Sequence, residues 1–172
     1  MSEEKLTEEM IIYRVKNFLI NKIDGNWHED KAKTAKLHSR GADLILVGGK
    51  KNSEYFIIEC KGKSYAKSAR AINKEGWLNA LGQIITRMAT KRIIKNGKNK
   101  GAINRAYKYG LGLYWVGAQV ALRRVPKNIA KTLNLYVFSI NDEGFVKQWT
   151  PSQFGEHYND DAFMEQEIKS DE

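Results

Sequence analysis

Cysteine occurs once in the 172 residues, at Cys60, and proline only twice, at Pro126 and Pro151. A single thiol excludes an internal disulfide and any cysteine-rich zinc cluster. No Pro/Ser-rich stretch marks a linker, so one compact domain is expected, and 42% hydrophobic content over this length supplies one substantial core. The longest apolar runs are far too short to cross a bilayer, and the opening Met-Ser-Glu-Glu-Lys is not a signal peptide. A soluble, cytoplasmic protein with no membrane partner is therefore expected. His28, His38 and His157 lack the spacing of a helical zinc pair. Gly62-Lys63-Ser64 imitates the end of a phosphate-binding loop, but Ile57 stands where the Walker pattern needs glycine. Serine-nucleophile motifs, repeats and heptads are absent as well.

Acidic residues are scarce in most of the chain and crowded at its end. Residues 156–172 hold seven of the 20 acids and one of the 29 basic residues, which leaves residues 1–155 with 28 Lys and Arg against 13 acids, a charge of +15. This divides the chain into a basic domain over 1–155 and an acidic segment over 156–172 that reads as a flexible tail. The basic residues group at Lys91, Arg92, Lys95, Lys98 and Lys100, at Arg105 and Lys108, and at Arg123, Arg124, Lys127 and Lys131. Such a body suits a polyanion, because each phosphate it meets releases counterions whatever the sequence. Nucleic acid is the expected partner. A merely solvated basic surface is the plainer alternative.

What the chain does have is an apolar hairpin carrying charge at chosen places. Residues 41 to 63 hold two runs rich in Ile, Leu, Val, Tyr and Phe, separated by Gly48, Gly49, Lys50, Lys51, Asn52 and Ser53, which is turn chemistry. If Gly48 pairs with Glu54, Asp43 falls opposite Glu59. Opposed residues on an antiparallel pair have β-carbons about 5 Å apart, while a slip of one residue would put the two acids on opposite faces. Alternation then sends Tyr55, Ile57, Glu59 and Lys61 one way and Phe56, Ile58 and Cys60 the other, with Lys61 about 7 Å beyond Glu59 on the same face. Two acids in an apolar hairpin repel one another and cost several kcal/mol if left unpaired, so a bound cation gives them a reason to be there. Oxygen ligands favour Mg²⁺, with Mn²⁺ as a substitute. The competing structural reading is a buried ion pair between Glu59 and Lys61.

Asp43, Glu59 and Lys61 in this arrangement resemble the PD-(D/E)xK nuclease superfamily, with Ala42 where the motif's name has proline. The resemblance implies an α/β fold: a restriction endonuclease-like αβββαβ core whose mixed central sheet is flanked by helices, over about residues 8 to 140. It implies a Mg²⁺-dependent endonuclease that hydrolyses phosphodiester bonds, most readily in DNA, of restriction, repair, junction-resolving or mobile-element type. Asp43 and Glu59 would hold the metal with the carbonyl of Cys60, and Lys61 would serve the attacking water or the transition-state charge. Several branches place a glutamine on the following helix, and here Gln83 shares a line with Asn79 and Arg87 at four-residue spacing. Gln83 faces the site or is a plain surface residue. A further metal ligand from the first helix would be Glu8, with Glu9 a close rival; both also suit a helix N-terminus. The resemblance leaves room for a homodimer, common among enzymes that cut both strands. Two other readings stand beside it: a non-catalytic nucleic-acid-binding module of the same fold, with the acids paired to Lys61 and Lys63, and an RNA-directed nuclease.

The remaining pattern is mixed. A first helix is predicted from an N-cap at Thr7 to about Lys22, with Ile12, Val15 and Leu19 inward. A second is predicted around Glu75 to Met88, with Trp77, Leu78, Leu81, Ile84, Ile85 and Met88 as its apolar stripe and Gly82 packed against the hairpin. Asn96 to Gly101 reads as a loop, Leu111 to Val116 as a strand, and Ala118 to Lys131 as a helix interrupted near Pro126. Leu133 to Ile140 and Phe145 to Trp149 form a terminal hairpin through Asn141-Asp-Glu-Gly144. Tyr107, Tyr109, Tyr114 and Trp115 are stacking or core aromatics, the last two more readily core.

Overall fold

Residues 5–22, 25–30, 42–49, 54–89 and 107–155 are described in a computed structural model of the chain. The elements run α1 (Glu8–Ile20), β1 (His28–Glu29), β2 (Leu44–Gly48), β3 (Glu54–Lys61), α2 (Ala69–Ala89), β4 (Tyr107–Tyr114), α3 (Trp115–Arg124), α4 (Lys127–Leu133), β5 (Leu135–Ile140) and β6 (Val146–Trp149). The fold is α/β. Among the described residues, six strands lie in chain order in one sheet. The pairs β1–β2, β2–β3 and β5–β6 are antiparallel, whereas β3–β4 and β4–β5 are parallel. Parallel neighbours need crossovers, which α2 supplies for the first pair and α3 with α4 for the second.

The hairpin has the expected register: Gly48 pairs with Glu54 and Leu44 with Ile58. Alternation along β3 divides the core in two. Ile57 joins Leu111, Leu113, Leu135 and Val137 beneath Trp77, Ala80, Ile84, Ala118 and Leu122, on the face covered by α2 to α4. Phe56, Ile58 and Cys60 join Leu44, Leu46 and Phe138 beneath Ile11, Val15 and Leu19 of α1. Each fully buried large apolar side chain contributes on the order of 1.5–3 kcal/mol, so slippage of the register would forfeit both layers. No helix among the described residues is long and apolar enough to cross a membrane.

Several expectations need correcting. Thr7 does cap α1, accepting from the Met10 N–H at 3.2 Å, but Ile11 rather than Ile12 is fully buried. On α2 the buried line is Trp77, Ala80 and Ile84, while Leu78 and Ile85 are half-exposed. Gly82 does not pack against the hairpin: a β-carbon there would meet nothing within 4 Å. Strand β4 begins at Tyr107, earlier than the predicted Leu111, and passes straight into α3 at Trp115. Pro126 is the N-cap of α4 and thereby divides the predicted single helix. Lys91, Arg92, Lys95, Lys98, Lys100, Arg105, the Asn96–Gly101 loop and the acidic segment 156–172 lie outside the described residues.

Candidate metal and phosphodiester site

The C-terminal end of β3 gathers the charged groups of the hairpin. Asp43 stands one residue before β2, and its Oδ2 accepts the Cys60 backbone N–H at 2.7 Å. This bond continues the strand pairing through a side chain and fixes the carboxylate beside β3. Glu59 points to the α2 face and is only 1% exposed. Its Oε1 accepts from Arg87 Nε at 2.8 Å, whereas its Oε2 is buried with no hydrogen-bond partner. Burial pushes the Glu59 carboxyl from its ordinary 4.5 up to about 7; the Arg87 hydrogen bond opposes the rise, and the nearby Asp43 charge adds to it. An orphaned buried oxygen costs about 1–3 kcal/mol, and more when it carries charge. Two converging carboxylates, one with an unused lone pair inside the protein, suit a hard divalent cation.

Lys61 follows on the same face of β3, but its ammonium pairs with Glu8 Oε2 at 3.1 Å. Glu8 reaches it because Gly62 lets the start of α1 come close; a β-carbon on Gly62 would lie 2.5 Å from the Glu8 nitrogen. Glu8, not Glu9, therefore meets the hairpin, and it meets Lys61. The Glu59–Lys61 ion pair of the structural reading does not form. Glu59 is instead paired with Arg87, and Lys63 with Asp142.

Gln83 is exposed on α2 and has no contact with Asp43 or Glu59 among its described hydrogen bonds. Arg87, one turn further on the same line, reaches the site in its place. Arg87 shares that line by spacing alone, and its length and charge are the signals that mark it as able to reach a buried acid. The Cys60 thiol is buried on the opposite face, against α1, and burial raises its pKa well above the ordinary value. Its backbone N–H is the group that bonds to Asp43. Among the described residues, no group of three or more His, Cys, Asp and Glu side chains is placed to hold a metal. Any metal here would need main-chain or solvent oxygens to complete its shell, as Mg²⁺ ordinarily uses.

Of the basic residues, Lys108 pairs with Glu54 at 3.0 Å, and Arg123, Arg124, Lys127 and Lys131 are exposed on α3 and α4. Lys74, Arg123 and Arg124 edge a cavity of about 310 Å³ between α2 and α3. Tyr109 and Tyr114 are buried, Trp115 packs against both cores, and Tyr107 stacks on Tyr55 with ring centres 4.9 Å apart. No protein-family model, curated protein or solved structure matches this chain.

Proposed function

We propose that the chain is a metal-dependent endonuclease hydrolysing phosphodiester bonds in DNA, an intracellular enzyme with a core of the restriction endonuclease-like kind. The observation that carries this reading is the unpartnered, buried Oε2 of Glu59 beside Asp43. Asp43, Glu59 and the Cys60 carbonyl would hold Mg²⁺ or Mn²⁺. When bound, that ion would supply charge neutralisation of the phosphate and a more acidic water.

The protein's own groups supply the rest. Arg87 donates to Oε1 and leaves Oε2 directed elsewhere, so one residue orients the carboxylate without covering it. Lys61 is held at the strand end by a partner that is itself 45% exposed. Such solvent-screened pairs are worth about 0–1 kcal/mol, so a phosphate can draw the ammonium away from Glu8 at small cost. A lysine there meets phosphate as a compact charge, either steering the attacking water or countering charge that builds on the phosphate oxygens. The exposed cations of α3 and α4 supply the sequence-independent attraction expected for a nucleic-acid backbone.

A test is a cleavage panel of linear, nicked, flapped, four-way and single-stranded DNA, with a parallel RNA set, in Mg²⁺ and Mn²⁺. Cleavage that requires metal and is lost in both Glu59→Gln and Lys61→Ala, with folding intact, supports the proposal. Unchanged cleavage in both variants removes it. The Arg87–Glu59 bond specifically favours a second reading, a binding module in which the buried acid is already neutralised. Calorimetric Mn²⁺ titration separates them, because the module shows no heat that depends on Asp43 and Glu59.

A further inference from the structure

The segment that leaves β3 carries Lys61, then Gly62-Lys63-Ser64-Tyr65, and it is held from two sides. Lys63 N–H donates to the Leu6 carbonyl, and Leu6 N–H donates to the Tyr65 hydroxyl, each at 2.8 Å. On the α2 side, Ser64 N–H donates to Asn73 Oδ1 at 2.6 Å and Asn73 Nδ2 returns a bond to the Ser64 carbonyl at 3.2 Å. Tyr65 is thus fixed through the backbone of Lys63 and Ser64 before it and at its own hydroxyl, yet it stays 52% exposed. Two ammonium groups lie over the ring, Lys63 Nζ at 5.4 Å and Lys5 Nζ at 5.9 Å from its centre, and both belong to flexible side chains that a stacked base could displace. Lys63 is itself ordered by Asp142 and by the Tyr114 ring, 4.7 Å away. The hydroxyl bond accounts for where the ring is held. It does not account for an aromatic side chain left half in water beneath two cations.

That combination is the chemistry of a stacking platform with phosphate contacts at its margins. The platform and Lys61 also converge: Leu6 donates to Tyr65, and Glu8, two residues on, accepts from Lys61. We infer that Tyr65 stacks an unpaired nucleobase beside the bond addressed by Lys61, with Lys5 and Lys63 taking the flanking phosphates. The substrate class is therefore nucleic acid that is single-stranded or locally unpaired at the cut. A base inside a continuous duplex already has both faces stacked and offers none to the ring. The words "beside the bond" rest on the proposed nuclease reading; the stacking itself does not.

The experiment uses the full chain in EDTA with 2-aminopurine-labelled oligonucleotides, as single strands of DNA and RNA and as a fully paired hairpin. Affinity and fluorescence quenching are read together. Wild type binds the single strands and quenches the probe. Tyr65→Ala and Tyr65→Leu weaken single-strand binding by about 5- to 150-fold, the range for losing one stacked base, and abolish the quench. Hairpin affinity changes less than about twofold, since phosphate contacts persist. Tyr65→Phe keeps the ring and retains most of the binding. Equal losses on single strand and hairpin overturn the inference, as does an unchanged single-strand affinity in both Tyr65→Ala and Tyr65→Leu. A Tyr65→Phe loss as large as that of Tyr65→Ala, matched by an equal fall in Tm, also overturns it and leaves the ring a structural clamp. Retained stacking with no metal-dependent cleavage sustains the platform and removes the nuclease reading alone.

Discussion

The two ends of β3 each set a carboxylate against a cation, under opposite conditions. At the start of the strand, Glu54 meets Lys108 at 3.0 Å, both side chains about a quarter exposed, and Lys108 lies over the Trp27 ring. At its end, Glu59 meets Arg87 at 2.8 Å with the acid withdrawn from water, one oxygen unpartnered and the pKa raised to about 7. The starting end also has the better-formed hollow, about 240 Å³ lined by Trp27, Phe56, Tyr136, Lys108 and Glu54. Its polar groups answer one another, however, as Lys22 does Gln148 at 2.9 Å. An ion pair whose bonding is complete is structure; one that leaves a buried oxygen over is a place for something else. Cavity size and chemical demand point to different ends of the same strand, and demand is the better guide.

The largest expected effect would break this comparison outright. Glu59→Gln should lower Mg²⁺-dependent cleavage by about 1,000-fold, the scale on which a charge-positioning group is lost from an active site, while Glu54→Gln changes it less than about twofold. Equal effects, read as kcat/KM on one substrate, would erase the distinction. Next in size is stability. Arg87→Leu strands a buried carboxylate and should cost about 3 kcal/mol at pH 8 in denaturant unfolding, and less at pH 5, where the acid takes up a proton instead. Lys108→Leu, at the screened pair, should cost at most about 1 kcal/mol.

The third sharpens the comparison through pH. Glu59 ionises at about 7 in the folded chain against 4.5 ordinarily, so the folded chain holds more protons between those values. For such a raised group, stability is complete below about 4.5 and is lost as pH rises through about 7. The shift sets a ceiling of about 3 kcal/mol, and glutamine, still polar, should recover about 2 of it. Glu59→Gln is thus expected to unfold at higher denaturant than wild type at pH 8 and at nearly the same concentration at pH 4. A pH-independent difference would mean that Glu59 is not the buried acid described here.

Much of this contrast could be read from residue order, and the parts that could not have definite causes. The hairpin is legible from its two apolar runs and the glycines at the turn, but its register is an assumption in the sequence, and the observed pairing of Gly48 with Glu54 agrees with it. The phase of α1 slipped by one because Ile11 and Ile12 are equally apolar and only the cap at Thr7 with the packing of Val15 and Leu19 chooses between them. On α2 the apolar residues occupy two faces, and the buried one runs through Ala80, too small to announce a core line. Tyr107 to Gly110 follow a Lys/Asn/Gly-rich stretch, and their place in β4 comes from parallel pairing to Tyr55 through Ile58, a partner distant in sequence. Arg87 escaped assignment because periodicity gives a direction and not a reach, and the guanidinium spans what the Gln83 side chain does not.

The smallest expected effect decides the role of Glu8. Its bond to Lys61 is partly solvated, so Glu8→Gln should cost less than about 1 kcal/mol of stability, comparable to breaking Glu54 from Lys108. If Glu8 only holds Lys61 in waiting, its loss leaves Mn²⁺ affinity unchanged and moves kcat/KM by less than about threefold, since a phosphate would displace the pair in any case. If Glu8 also reaches the metal, the same substitution weakens Mn²⁺ binding by about tenfold or more in calorimetry, with stability still nearly unaltered. The two outcomes separate because one carboxylate serves either the ammonium or the ion. At Glu54, where no orphaned oxygen neighbours the pair, the corresponding change should alter neither quantity.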